Sequence, residues 1–208
     1  MAVAPVATSL RNPADLANNA FARMGYKLQL GSLLDGSSHA QFVLNTYGQA
    51  RDKLLASFDF DFAERAVDLV LINQAPTGGY FPPQTWDPAL YPPPGAKYQY
   101  AFPSDAIKIR SLKFQPLFTV NIDPRPMKFS EYNNPTLGRR TIVTSVPAAV
   151  AIYTGRIVDP SVWSVEFSDA LAADLAVLLG PVLVGMGATQ LTVPEAQAAV
   201  SAATTERR

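Results

Sequence analysis

The stretch that decides the fold is Phe58–Asn73, FDFDFAERAVDLVLIN, where one periodicity stops and another begins. Phe58, Phe60 and Phe62 alternate with Asp59 and Asp61. Period two is the pattern of a strand with one face buried and the other in water. The run Ala63–Ile72 that follows fits either strand or helix, and strand is the preferred reading. The segment therefore reads as β structure from its start, with both aspartates on the solvent face.

Upstream the period is helical. Asn12-Pro13 is a cap followed by a first-turn proline, because the Asn side chain accepts free amide protons and proline has none to lose. A short helix over about Pro13–Met24 follows, with Leu16, Ala20, Phe21 and Met24 on one face and Gly25 ending it. GSLLDGS (31–37) forms a turn, and Ser38 is expected to cap a longer helix to about Ser57. Its apolar stripe is Val43, Tyr47, Ala50 and Leu54, with Arg51, Asp52 and Lys53 outside it.

Downstream, residues 74–97 change composition abruptly. Seven prolines sit among Tyr80, Phe81, Trp86 and Tyr91. Proline lacks the amide proton that helices and ladders need, so this is a long loop. Loops of that length in compact chains are commonly functional, and the aromatic content argues against a solvated linker. Short strands are then expected at Tyr98–Ala101, Ala106–Phe114, Phe118–Ile122, Met127–Phe129, Thr141–Ser145 and Ala149–Tyr153, punctuated by prolines and forming an antiparallel sheet.

Asp159-Pro160 repeats the cap-plus-proline signal and opens a helical region to about Leu183, with a stripe through Phe167, Leu171, Leu175, Leu178 and Val182. Thr192-Val-Pro-Glu195 matches a capping box and starts an alanine-rich helix with little apolar face beyond Val200. The reading is an α+β fold: helices over about 10–58 and 160–203 with a central antiparallel β part over about 59–156, taken from the length of 208 residues as one domain.

Composition narrows the function classes. Hydrophobic residues make up 48% and charged residues 16%, against a usual charged share of about 25%, so part of the apolar surface is expected to face other subunits. Lys plus Arg equals Asp plus Glu at 17 each, leaving no bulk attraction for nucleic acid or anionic lipid. With no cysteine, thiolate chemistry and disulfides are excluded, and one histidine, His39, cannot build a multi-histidine metal site. No signal peptide or membrane span is read, so cytoplasmic synthesis is the expectation.

Catalytic constellations are equally thin. No phosphate-cradling glycine motif and no GxSxG elbow is present. His39 falls near a helix start and reads as an ordinary first-turn residue. Asp59 and Asp61 could serve as a glycosidase acid and base, although plain amphipathic alternation explains the same pair. Lys108, Arg110, Lys113, Arg125, Lys128, Arg139, Arg140 and Arg156 could line a surface that touches DNA phosphates, or be solvated strand faces and salt bridges. Tyr80, Phe81, Trp86 and Tyr91 are candidate interface anchors, the alternative being a loop folded back on its own sheet.

Three segments taken in order resemble the tail tubular protein A type of head-to-tail adaptor of short-tailed bacteriophages. The first is the N-terminal helix ending in Met24-Gly25-Tyr26, with a second helix leading to Phe62-Ala63. The second is YQYAFPSDAIKIRSL, matched at Tyr100, Phe102, Pro103, Ser104, Asp105 and Ile109. The third is IYTGRIVDPSVWSVEFSDALAADLAVLL, matched at Tyr153, Asp159, Pro160, Phe167, Ala170, Leu171, Leu175 and Ala176. The resemblance implies a non-enzymatic virion subunit without cofactors, in a twelve-membered ring between portal and tail nozzle, with DNA passing through the channel. The proline-rich loop is longer than that family leads one to expect. The segment Thr192–Arg208, including Glu195, Val200, Arg207 and Arg208, is the expected portal contact because its helix lacks a core face of its own. A stopper or head completion connector of a long-tailed phage is the nearer alternative, and a small glycan hydrolase using Asp59 or Asp61 the remoter one.

Overall fold

Local chemistry sets the first helix. In a computed structural model, which describes residues 12–78, 86–114 and 127–183, α1 spans Pro13–Arg23, and the Asn12 side chain accepts from the Ala14 amide. Leu16, Ala17, Ala20 and Phe21 are fully buried, so the apolar spacing of the sequence becomes the packed face. Gly25 takes φ +70°, which lets the chain leave the helix in the left-handed region open to glycine at little cost.

Helix α2 spans Ser38–Ser57, and its cap is Ser37, one residue before the expected Ser38; the Ser37 hydroxyl accepts from the Ala40 amide. Val43, Tyr47, Ala50 and Leu54 are buried as the stripe requires. Arg51 departs from its reading as an outside residue: it is buried, its aliphatic stem inside and its guanidinium 2.7 Å from Asp52.

The aromatic alternation is not a strand. Phe58 is the C-cap of α2, and Asp61–Ala63 form a 3₁₀ turn. Phe60 and Phe62 both reach Phe167, at ring-centroid distances of 5.0 and 5.1 Å, in edge-on geometry. Convergence on one buried ring, and not alternation across a sheet, is what spaces these phenylalanines.

The Asp159-Pro160 signal opens a 3₁₀ turn, Pro160–Val162, and not the long helix itself. Helix α3 begins afresh at Val165 and runs to Leu183, with the Ser164 hydroxyl accepting from the Phe167 amide. Phe167, Leu171, Leu175 and Leu179 carry its buried stripe, whereas Leu178 and Val182 are 41% and 59% exposed, correcting the expected end of the stripe. Arg23 pairs with Asp169 at 2.9 Å and Lys53 with Asp174 at 3.3 Å, tying α1 and α2 to α3. The Trp163 ring packs 4.9 Å from Phe167 and 6.3 Å from Tyr47.

The strands are β1 (Glu64–Asp68), β2 (Leu71–Gln74), β3 (Tyr98–Ala101), β4 (Ala106–Phe114), β5 (Phe129–Asn134), β6 (Arg139–Thr144) and β7 (Ala149–Gly155). They form two antiparallel sheets, not one: β1-β7-β4 and β2-β3-β6-β5. Strand β5 lies beyond the expected Met127–Phe129, and the expected strand Phe118–Ile122 falls outside the described residues.

Four connections carry the chain from one sheet to the other, that from β4 to β5 through residues outside those described. At the first, the Leu69 amide donates to Ala149 on the β7 side, and the next carbonyl, Val70, accepts from Ala101 at the end of β3. The links β3 to β4 and β6 to β7 do the same. The two inner faces share one core, with Ile109, Leu112, Ala151 and Tyr153 from the first sheet against Tyr100 and Ile142 from the second. The Tyr100 hydroxyl donates to the Val146 carbonyl at 2.9 Å, satisfying its one polar atom.

The chain is α+β, and it groups into two compact units. One is helical, up to Phe62 and from Ile157 onward; the other is the β unit, Ala63–Arg156.

Candidate functional site

The proline-rich segment between β2 and β3 is ordered by backbone bonds wherever it is described. The Ala75 amide donates to the Lys97 carbonyl, and the Lys97 amide to Thr144, so the loop closes at its base. Asp87 accepts from the amides of Ala89, Leu90 and Tyr91 through its side chain and carbonyl, forming a tight turn. Trp86 donates its indole N–H to the Pro92 carbonyl at 2.9 Å, and Asn134 on β5 donates to Pro88 at 3.0 Å. Trp86 and Tyr91 are half-buried, while Leu90 at the turn is exposed. Trp86 therefore braces its own loop. Tyr80 and Phe81 lie outside the described residues, as do Thr192, Glu195, Val200, Arg207 and Arg208.

Two open grooves flank this loop. One, of about 410 Å³, runs between Pro93–Ala96 and the edge of β5 at Lys128–Ser130. The other, of about 390 Å³, is bounded by Gln74–Thr77, Lys97 and Tyr98.

Two of the candidate basic residues, Arg110 and Arg140, sit in built pairs, and Arg65 forms a third. Arg110 is nearly buried and donates to Glu64 at 2.9 Å and to the Thr154 hydroxyl at 2.9 Å. Arg140 sits 3.6 Å above the Phe102 ring, 3.2 Å from Glu131, and donates to the Ile107 carbonyl at 3.3 Å. Arg65 pairs with Asp105, whose other oxygen accepts from the Tyr153 hydroxyl at 3.0 Å. Burial, and then that bond to a carboxylate, hold the Tyr153 hydroxyl above its ordinary pKa. Arg65 lies across Gly155, where a Cβ would stand 2.7 Å from the arginine Cδ. The sequence ranked none of these partners, because most of them join positions more than thirty residues apart, and Glu131 meets Arg140 only once β5 and β6 are paired. Arg125 lies outside the described residues.

Asp59 and Asp61 are exposed, on a turn and not on a strand face. His39 Nε2 lies 2.9 Å from the Tyr26 hydroxyl, inside the helical unit. Among the described residues no cluster of three or more His, Asp or Glu could hold a metal ion, and no helix is long and apolar enough to cross a membrane.

The strand pair β1–β2 runs along an edge of both sheets, every residue of β1 is exposed, and Val70 and Leu71 beside it are 69% and 47% exposed. Unpaired strand edges with apolar side chains are a template for another chain. Comparison with known protein families finds no matching family model, and comparison with curated proteins finds no match either.

Proposed function

We propose that this chain is a structural virion subunit: a head-to-tail adaptor that assembles as a ring between the portal and the tail nozzle of a short-tailed phage, with DNA passing through its centre. It is made in the host cytoplasm and acts by offering interfaces, with no chemistry of its own.

The observation that carries this reading is the ordered resemblance of three segments, whose matched residues do framework work here. Met24 and Gly25 terminate α1. Tyr100 bonds across the β core to Val146, and Asp105 holds Arg65 and Tyr153. Asp159 caps a turn through the Ser161 amide, and Phe167 is the fully buried ring on which the helical unit closes. Caps, turns and core at the matched positions support a role in assembly. The exposed apolar edge at Val70 and Leu71 supports association of the kind such a ring needs.

The test is assembly. Purified protein mixed with its portal is expected to give ring-shaped particles docked on the portal in negative-stain micrographs. A chain that leaves the portal bare at saturating concentration overturns the reading.

A further inference from the structure

We infer that neighbouring copies join by strand addition, the edge of β1 in one copy taking the C-terminal half of β4 in the next, so that the three-stranded sheet runs on from copy to copy. This inference rests on the ring reading above and names the contact that would build it.

The backbone geometry comes first. The Leu69 amide donates to Ala149, which places Leu69, Val67 and Arg65 among the β1 residues bonded to β7. Hydrogen-bonding direction alternates along an antiparallel strand, so Glu64, Ala66 and Asp68 direct their N–H and C=O groups away from the sheet. The same alternation carried across β7 turns Ile109, Leu112 and Phe114 of β4 outward, and the ladder is regular only from Ser111 onward, with register shifts at Ala106/Lys108 and Ile109/Ser111. At the N-terminal end of β4 the carbonyl of Ile107 is already taken by Arg140. Strand addition is therefore confined to the half that ends at Phe114.

Charge then selects the partner. Two β1 edges meeting antiparallel and centred on Ala66 would set Glu64 opposite Asp68, carboxylate against carboxylate, which disfavours that symmetric pairing. The β4 edge offers the opposite sign. Through β7, Glu64 and Lys108 both lie beside Thr154, and Asp68 and Lys113 both lie beside Val150. Acid and base thus stand at matching levels on the two edges of one sheet, and on its outer face.

A copy placed beside its neighbour in the same orientation brings β4 and β1 together in parallel, because both run antiparallel to β7. In a parallel ladder an outward-bonding residue lies opposite one whose two neighbours bond toward it. Asp68 opposite Lys113 satisfies that rule: the Asp68 amide meets the Leu112 carbonyl, and the Phe114 amide meets the Asp68 carbonyl. Backbone register and charge pairing select the same alignment. Two different edges make a head-to-tail contact, which closes a ring when the rotation between copies allows it.

The experiment is charge exchange between copies. Wild-type protein, Asp68→Lys, Lys113→Asp and an equimolar mixture of the two variants are compared by native mass spectrometry and negative-stain microscopy, alone and with portal. Circular dichroism and the unfolding midpoint check each fold. Wild type is expected to assemble, each variant alone to lose assembly at least tenfold, and the mixture to regain it, since every contact in an alternating ring then has one acid and one base. Raising salt should weaken the wild-type contact. Variants that assemble as wild type does, or a mixture that stays dissociated, overturn the strand contact and leave the ring reading standing. Wild-type protein that remains monomeric alone and with portal overturns both.

Discussion

Gly155 shows how one residue is held by a close approach: a Cβ there meets the Arg65 side chain, which is engaged with Asp105. Gly155→Ala is expected to displace Arg65 and cost up to about 1 kcal/mol in urea unfolding, the scale of a partly exposed ion pair. With Arg65→Ala already in place the same change should cost measurably less, because the obstacle is gone. Phe167 is the opposite case, a fully buried ring that touches Phe60, Phe62 and Trp163. Phe167→Ala should lose about 3–5 kcal/mol of stability, or leave the helical unit unfolded by circular dichroism. Tyr47 carries a buried hydroxyl with no hydrogen-bond partner among the described residues, and burial pushes its pKa up to about 12. The sign follows from the neutral form being favoured when folded: its contribution is intact below the ordinary tyrosine pKa of 10.0 and is lost as pH rises toward about 12. Tyr47→Phe should therefore leave neutral-pH stability unchanged or slightly raised, and make the alkaline fall in unfolding free energy shallower.

At the scale of elements, the turn from β6 to β7 contains Ala148 at φ +46°, the single non-glycine residue in the left-handed region among those described. Ala148→Gly should gain about 0.5–1 kcal/mol in thermal unfolding, since the relief of Cβ crowding exceeds the added freedom of the unfolded chain. The cap of α1 and the buried faces of α1 and α2 were legible in the sequence because each is written within a few residues, as Asn12-Pro13 and apolar spacings of three and four, whereas two adjacent serines let the α2 cap fall at Ser37 and not at the expected Ser38. The FDFDF run was not, since alternating rings fit a strand and a turn closing on a distant phenylalanine equally well, and Phe167 lies far along the chain. The α3 stripe failed at its end for a related reason. After Leu175, Leu178 and Leu179 both continue a helical spacing, and only tertiary packing chooses Leu179. The split into two sheets was hidden too, because the crossing at Leu69-Val70 has neither glycine nor proline to mark it.

At the scale of the molecule, the α+β class followed from the order of periodicities, while the surfaces that matter for association did not. The proline-rich loop drew attention through its rings, yet Trp86 is spent inside the loop. The β1 edge, written as ERAVD, carries little apolar signal; its exposure becomes visible only when the strand is placed at the end of a sheet. A near-neutral chain with few charges is poorly protected from association, in keeping with a subunit that works by assembling. Electron microscopy of the purified chain with portal is expected to show closed rings coaxial with the portal, one per portal, around an open channel wide enough for duplex DNA; portals that remain bare beside a monodisperse monomer would rule out the adaptor role.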